Sequence, residues 1–142
     1  MARRYHELRL SFFIQATEDE EKVLQAVANL LGMDPSPLVN RSNAEGVHHN
    51  PIILLSIELK KEREIRAVLE RWETTDFWQE SKKDIDDRLD EDLVYHVRVD
   101  KEKAFGGDIA LWKGGESIDI RLKVATYPSS REGSIEIILN GP

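Results

Sequence analysis

From His6 to Ile14 the chain alternates, with His6, Leu8, Leu10 and Phe12 on one side and Glu7, Arg9 and Ser11 on the other. Period two is the signature of a half-buried strand. Thr17, followed three residues later by Glu20, reads as a capping box, and Val23, Ala26, Val27, Leu30 and Leu31 then recur at helical spacing as far as Gly32. The acids Glu18 to Glu21 fall in the first turn of that predicted helix, where they oppose the positive end of its dipole; that role is sufficient for them. Met33 to Gly46 is crowded with Pro, Asn, Ser and Gly and predicts a long loop or an irregular strand. Pro51 opens Ile52 to Leu59, where Ile53, Leu55, Ile57 and Leu59 share a face. The near-continuous apolarity of its first half predicts a central strand buried on both sides.

Helical spacing returns over Glu62 to Glu73 through Ile65, Val68, Leu69 and Trp72. Thr74 or Thr75 can cap a further helix running to about Leu89, with Phe77, Trp78, Ile85 and Leu89 as its apolar face. Leu93, Tyr95, Val97 and Val99 alternate with Val94, His96 and Arg98, and Asp100 can cap a short helical turn closed by Gly106 and Gly107. Ile109 to Trp112 and Ser117 to Thr126 flank Lys113-Gly114-Gly115-Glu116, whose paired glycines suit a tight hairpin. In the second of those strands Ile118, Ile120, Leu122 and Val124 face inward, leaving Asp119, Arg121 and Lys123 outward. The tail carries two signals: Ile135, Ile137 and Ile138 are β-branched, while Ser130 at its start and Asn140-Gly141-Pro142 at its end favour a helix. The element string predicts a single α+β domain over residues 1–142, a mainly antiparallel sheet with helices packed on one face.

Composition narrows the picture. With 142 residues one core is the economical expectation, and at this length no metal or disulfide is needed to hold it. There is no cysteine, hence no disulfide framework and no thiolate metal site, which fits a cytoplasmic location. No apolar run approaches the roughly 18 residues a membrane span requires. The net charge of −7 argues against wholesale coating of nucleic acid, but the excess is local. Residues 73 to 92 hold nine acids and three bases, whereas residues 93 to 142 hold seven of each. An anionic partner can therefore still find a receptive face.

Each chemical candidate has an ordinary reading beside it. His48 and His49 precede Asn50-Pro51, but neighbours on an extended chain point to opposite faces, and no second ligand pair exists to complete a metal site. The run Asp84, Asp86, Asp87, Asp90 fails the calcium-loop template, because Arg88 and Leu89 stand where that template continues; a solvated acidic helix end is the simpler account. There is no Gly-rich phosphate loop, no nucleophile elbow and no H-E-x-x-H helix, so nothing supports an enzyme, a metal or a cofactor. What remains is a basic set, Arg98, Lys101, Lys103, Arg121, Lys123 and Arg131, able to neutralise phosphates, with His96, Tyr95 or Tyr127 available for stacking on unpaired bases. The ordinary reading of that set is a charged sheet surface paired with Asp100 and Asp119.

Four motifs in order carry a resemblance that runs nearly end to end: Ala16-Thr17-Glu18-Asp19-Glu20-Glu21-Lys22-Val23-Leu24; Glu45-Gly46 followed by Asn50-Pro51-Ile52; Asp100-Lys101 with Ala104 and Gly107; and Tyr127-Pro128 with Arg131-Glu132. They resemble a small archaeal family described as predicted RNA-binding proteins or candidate exosome subunits. The resemblance implies a fold like that of ribosomal proteins of the L-five type, and RNA as partner, with exosome or ribosome components beside it. His49 departs from the family's usual glycine, and Gly133 with the late isoleucines departs from its expected C-terminal helix. Three readings follow: a non-enzymatic RNA-binding protein using the six bases above; a homodimer or docking module using the Trp72, Phe77 and Trp78 region; and a metal-dependent nuclease using Asp84, Asp86, Asp87 and Asp90.

Overall fold

The computed structural model describes residues 3–45 and 51–142. In chain order the elements are β1 (Tyr5–Gln15), α1 (Glu20–Leu31), a 3-10 turn (Ser36–Leu38), β2 (Val39–Glu45), β3 (Pro51–Leu59), α2 (Glu62–Glu73), α3 (Asp76–Lys82), α4 (Ile85–Arg88), β4 (Val94–Asp100), α5 (Lys101–Phe105), β5 (Ser117–Val124) and α6 (Arg131–Asn140). The strands form one five-stranded antiparallel sheet in the order β2-β3-β1-β5-β4, so the α+β expectation holds. None of the described helices is long and apolar enough to cross a membrane.

The chain divides into two compact units, one of Met1–Arg9, Leu59–Val97 and Ile120–Pro142, the other of Leu10–Glu58 and Arg98–Asp119. The first is organised by aromatic rings. Trp72 from α2 lies 5.1 Å from Trp78 and 5.7 Å from Phe77 of α3, and Trp78 meets Tyr95 of β4 edge-on at 5.4 Å. The Tyr95 hydroxyl, buried with them, pairs with Ser81 Oγ at 2.7 Å, which removes the cost of an unsatisfied hydroxyl. Burial pushes the Tyr95 hydroxyl above its ordinary value, against the opposing pull of that hydrogen bond. The tail is a helix: Ser130 caps α6 by accepting from the Gly133 amide, and that local bond decides the contest with its β-branched residues. In the second unit α1 packs against α5, burying Val23, Ala26, Val27 and Leu30 along one stripe.

Several expectations shift. The capping box of Thr17 and Glu20 does not form: α1 begins at Glu20, its cap is Asp19, which accepts from the Glu21 amide, and Glu18 lies before the helix. The alternation of β1 slips by one, so that Tyr5 and Leu8 are both buried and His6 is half-buried. Residues 39–45 form a regular strand paired antiparallel to β3, from Val39 opposite Ile57 to Glu45 opposite Pro51. β2 stands at the end of the sheet order and has one neighbour, which is why so polar a segment can be a strand. On β3 the second face is only half-buried at Ile52 and Leu54. The helix expected from Thr75 to Leu89 breaks into α3 and α4 at Lys83-Asp84, although its apolar face is buried as read. Ile109 to Trp112 forms no hairpin with β5. Asp100 N–H donates to the Ala110 carbonyl and Trp112 N–H to that of Arg98, so this segment runs beside the end of β4.

Trp72 contacts two of the three other rings of its cluster, Phe77 and Trp78, so replacing it by alanine removes a shared wall of the first unit's core. Trp72→Ala is expected to lose about 3–5 kcal/mol of stability, read as a lower urea midpoint at unchanged slope.

Candidate nucleic-acid interface

Strand pleating sends alternate side chains to opposite faces. On β4 it buries Tyr95, Val97 and Val99, and on β5 Ile118, Ile120, Leu122 and Val124; Arg98, Arg121 and Lys123 are therefore carried outward, as the pattern predicts. In the first unit, Arg121 and Lys123 share with Arg9 of β1 a shallow depression of about 170 Å³ that also contains Val94 and Glu7. Arg121 enters no ion pair among the described residues. The Lys123 ammonium donates to the Asp92 carbonyl at 3.2 Å and meets no carboxylate among the described residues. The lining of this depression thus carries three cationic side chains and one acid, Glu7.

Arg131, in the same unit, is spent on the fold. Its guanidinium donates to the Leu89 carbonyl at 2.8 Å and the Asp86 carbonyl at 2.7 Å, tying the start of α6 to the end of α4. The acidic run turns to separate partners: Asp84 lies 3.7 Å from Arg88, Asp86 3.9 Å from Arg131 and Asp90 2.8 Å from His96. No group of three His, Asp or Glu among the described residues is placed to hold a metal. His48, His49 and Asn50 lie outside the described residues. Partial burial pushes the Asp90 carboxyl up, but hydrogen bonds from His96 and from the Val94 and Asp92 amides outweigh it and hold the group below its ordinary 3.8.

The second unit holds the other three bases, and they differ. Lys101 is 1 % exposed. Its ammonium donates to the Phe13 carbonyl at 2.6 Å and to Glu18 Oε1 at 2.7 Å, with Glu116 at 3.5 Å. It is an internal cross-brace, and the expectation that it faces a ligand is corrected by its burial. Arg98 is 56 % exposed, lies 3.4 Å from Asp119 and stacks over the Trp112 ring at 5.3 Å. Lys103 is exposed on α5; its backbone N–H donates to the capping carboxylate of Asp100, its carbonyl accepts from the Gly106 and Asp108 amides, and its ammonium enters no ion pair among the described residues.

Of the rings expected to stack on bases, Tyr95 is excluded by burial, His96 is half-buried against Asp90, and Tyr127 is 72 % exposed beside Arg3, Arg4 and the start of α6. Trp72, Phe77 and Trp78, expected as docking anchors, are core residues. Two residues escaped the reading. Arg9 was visible as an outward position, but its place beside Arg121 depends on the pairing of β1 with β5, which no local pattern encodes. Phe13, 50 % exposed on β1, was announced by two adjacent phenylalanines in an alternating strand, since one of them must face out.

Residues 7–124 match the model of a family described as RNA binding. The chain is 32% identical to the RNA-binding protein PAB1135 of Pyrococcus abyssi, over 94% of this chain and 90% of that one. Mth689, a DUF54 protein from Methanothermobacter thermautotrophicus, superposes with a TM-score of 0.81 at 32% identity, covering 96% of this chain and 97% of its own. SSO0741 of Sulfolobus solfataricus, 19% identical with a TM-score of 0.66 and coverage of 94% and 98%, shares the fold.

Removing the Lys101 ammonium strands Glu18 in a half-buried position. Lys101→Met is expected to cost about 3–5 kcal/mol in chemical denaturation, while Lys103→Met stays within about 0.5 kcal/mol of the parent. Asp90 supplies a pH signature. Because its folded value is depressed, its contribution is complete above about 3.8 and is lost as pH falls through the lower folded value. Asp90→Asn should flatten that portion of the acid-unfolding curve.

Proposed function

We propose, for a chain that belongs to the family described as RNA binding, that it binds RNA without catalysis and holds the phosphate backbone in the depression formed by Arg9, Arg121 and Lys123. One observation carries the reading: Arg9, Arg121 and Lys123 line one depression with a single acid, Glu7, and Arg121 and Lys123 meet no carboxylate among the described residues. Arginine offers a planar fork suited to phosphate oxygens, and lysine a mobile point charge; a backbone passing over the sheet can use both. Arg98 and Lys103 are exposed and supply further phosphate contacts in the second unit. Lys101 and Arg131 support the fold on which those contacts stand.

The acidic stretch from Glu73 to Asp92 gives the protein a face that repels RNA, which orients the approach of the ligand rather than preventing it. The finer assignment, an accessory of the archaeal exosome or ribosome in the cytoplasm, draws on the resemblance of the four ordered motifs. It makes exosome or ribosome components the proteins to examine as partners.

The logarithm of RNA affinity should fall linearly with the logarithm of salt, with a slope of about 0.7 per single-strand phosphate neutralised. Arg121→Ala and Lys123→Ala should each weaken binding of a mixed RNA pool and reduce that slope by roughly one contact, whereas Lys83→Ala, on the acidic segment, should change neither. Salt-insensitive binding, or equal slopes for all three variants, contradicts the assignment.

A further inference from the structure

The second unit carries a groove of about 240 Å³ on the outward side of β1 and β5, and its chemistry is unlike that of the basic depression. Its apolar surface comes from Phe13, a half-exposed residue, and from Leu54 of β3. Gln15, Glu116, Ser117 and Asp119 surround that surface with polar groups. The Asp119 carboxylate engages both its neighbours, Ser117 Oγ at 2.8 Å and Arg98 at 3.4 Å, through Oδ1. Glu116 accepts from Gln15 Nε2 at 3.1 Å. Ionised carboxylates accept hydrogen bonds and cannot donate, and each offers about four lone-pair sites, so this rim retains capacity for a donor.

A flat apolar ring bordered by acceptors suits a nucleobase seen from its face and edge. Aromatic rings on an outward sheet face stack on unpaired bases, and the bases that carry an exocyclic amino group can donate to a carboxylate rim. Uracil has one ring N–H flanked by two carbonyl oxygens, which such a rim repels. We infer that this groove seats one unpaired, amino-bearing base of the RNA, stacked on Phe13 with its amino group turned to Asp119. The inference rests on the RNA-binding reading above and specifies the class of RNA: single-stranded, with adenine, cytosine or guanine preferred over uracil at that position. The Lys101 ammonium donates to the Phe13 carbonyl at 2.6 Å, which ties the backbone of that residue to the start of α5.

The test uses the full chain and fluorescein-labelled ten-nucleotide oligo(A), oligo(C) and oligo(U) with a blunt RNA duplex, by anisotropy at fixed salt. Oligo(A) and oligo(C) are expected to bind more tightly than oligo(U). Phe13→Ala should lose about tenfold in affinity for the single strands with an unchanged salt slope and little change for the duplex. Phe13→Leu, which keeps the apolar packing of the strand, should lose nearly as much, and Asp119→Asn, which adds an amide donor, should erase the handicap of oligo(U). Single-strand affinity untouched by both Phe13 variants, with Arg121→Ala still weakening it, overturns the base seat and leaves the phosphate reading standing. Failure of every RNA to bind overturns both. A change of oligomeric state in Phe13→Ala by light scattering, with RNA affinity intact, would instead assign the ring to contact with a second copy and overturn the seat.

Discussion

An ammonium group inside the protein organises the second unit. Placing a charge out of water costs several kcal/mol unless it is paired and hydrogen-bonded, so Lys101 is tolerated only where acceptors reach it from several sides. They come from three places: the Phe13 carbonyl near the end of β1, the Glu18 carboxylate in the turn before α1, and Glu116 in the loop before β5. Glu18 is itself fixed by accepting from the Gln15 amide at 2.8 Å, and the Lys101 amide donates to the Glu116 carbonyl at 3.2 Å. The brace therefore sets where β1 ends, where α1 begins and how the loop carrying Gly114 and Gly115 returns to the sheet. Those two glycines take φ of 139° and 85°, conformations that favour glycine, in the loop that Glu116 closes.

The same protein separates its charges by secondary structure. Its acids concentrate on α3, α4 and the turn after them, where they sit at exposed helix positions or bind locally to Arg88, Arg131 and His96. Arg121 and Lys123 stand on β5, projected by the pleat from a strand whose other face is fully apolar, with Arg9 on the neighbouring β1. A chain of net charge −7 can in this way present a cationic surface without a cationic composition. The outward ring of Phe13 and the stacked pair of Arg98 and Trp112 belong to the same logic, since a strand that must bury Phe12 has to show its neighbour.

How much of this was legible in the chain depends on the range of the interaction that decides it. The phases of β4 and β5, the extent of α2 and the cap of α6 are local, set by alternation, by 3.6-residue spacing and by a serine ahead of an amide, and they were readable. β2 was not, because a polar edge strand is specified by its partner β3 rather than by its own pattern. The start of α1 was misplaced for a related reason: the Thr17–Glu20 spacing satisfies a local rule, while the pull of Lys101 on Glu18, 83 residues away, is a tertiary one. For the candidate site, outward phase identified Arg98, Arg121 and Lys123, but the burial of Lys101 and the diversion of Arg131 to the Leu89 and Asp86 carbonyls required the fold. Arg9 joined the set only through strand pairing.

The central claim is that RNA meets the outward sheet positions and avoids the acidic helices. Chemical-shift mapping of the isotope-labelled full chain during titration with a single-stranded RNA tests it most directly. The account predicts that the perturbed amides and side chains centre on Arg9, Val94, Arg121 and Lys123, with Phe13 and Asp119 also affected, while Asp84 to Asp87 stay still. Shifts confined to the acidic segment, or none at saturating RNA, would contradict it.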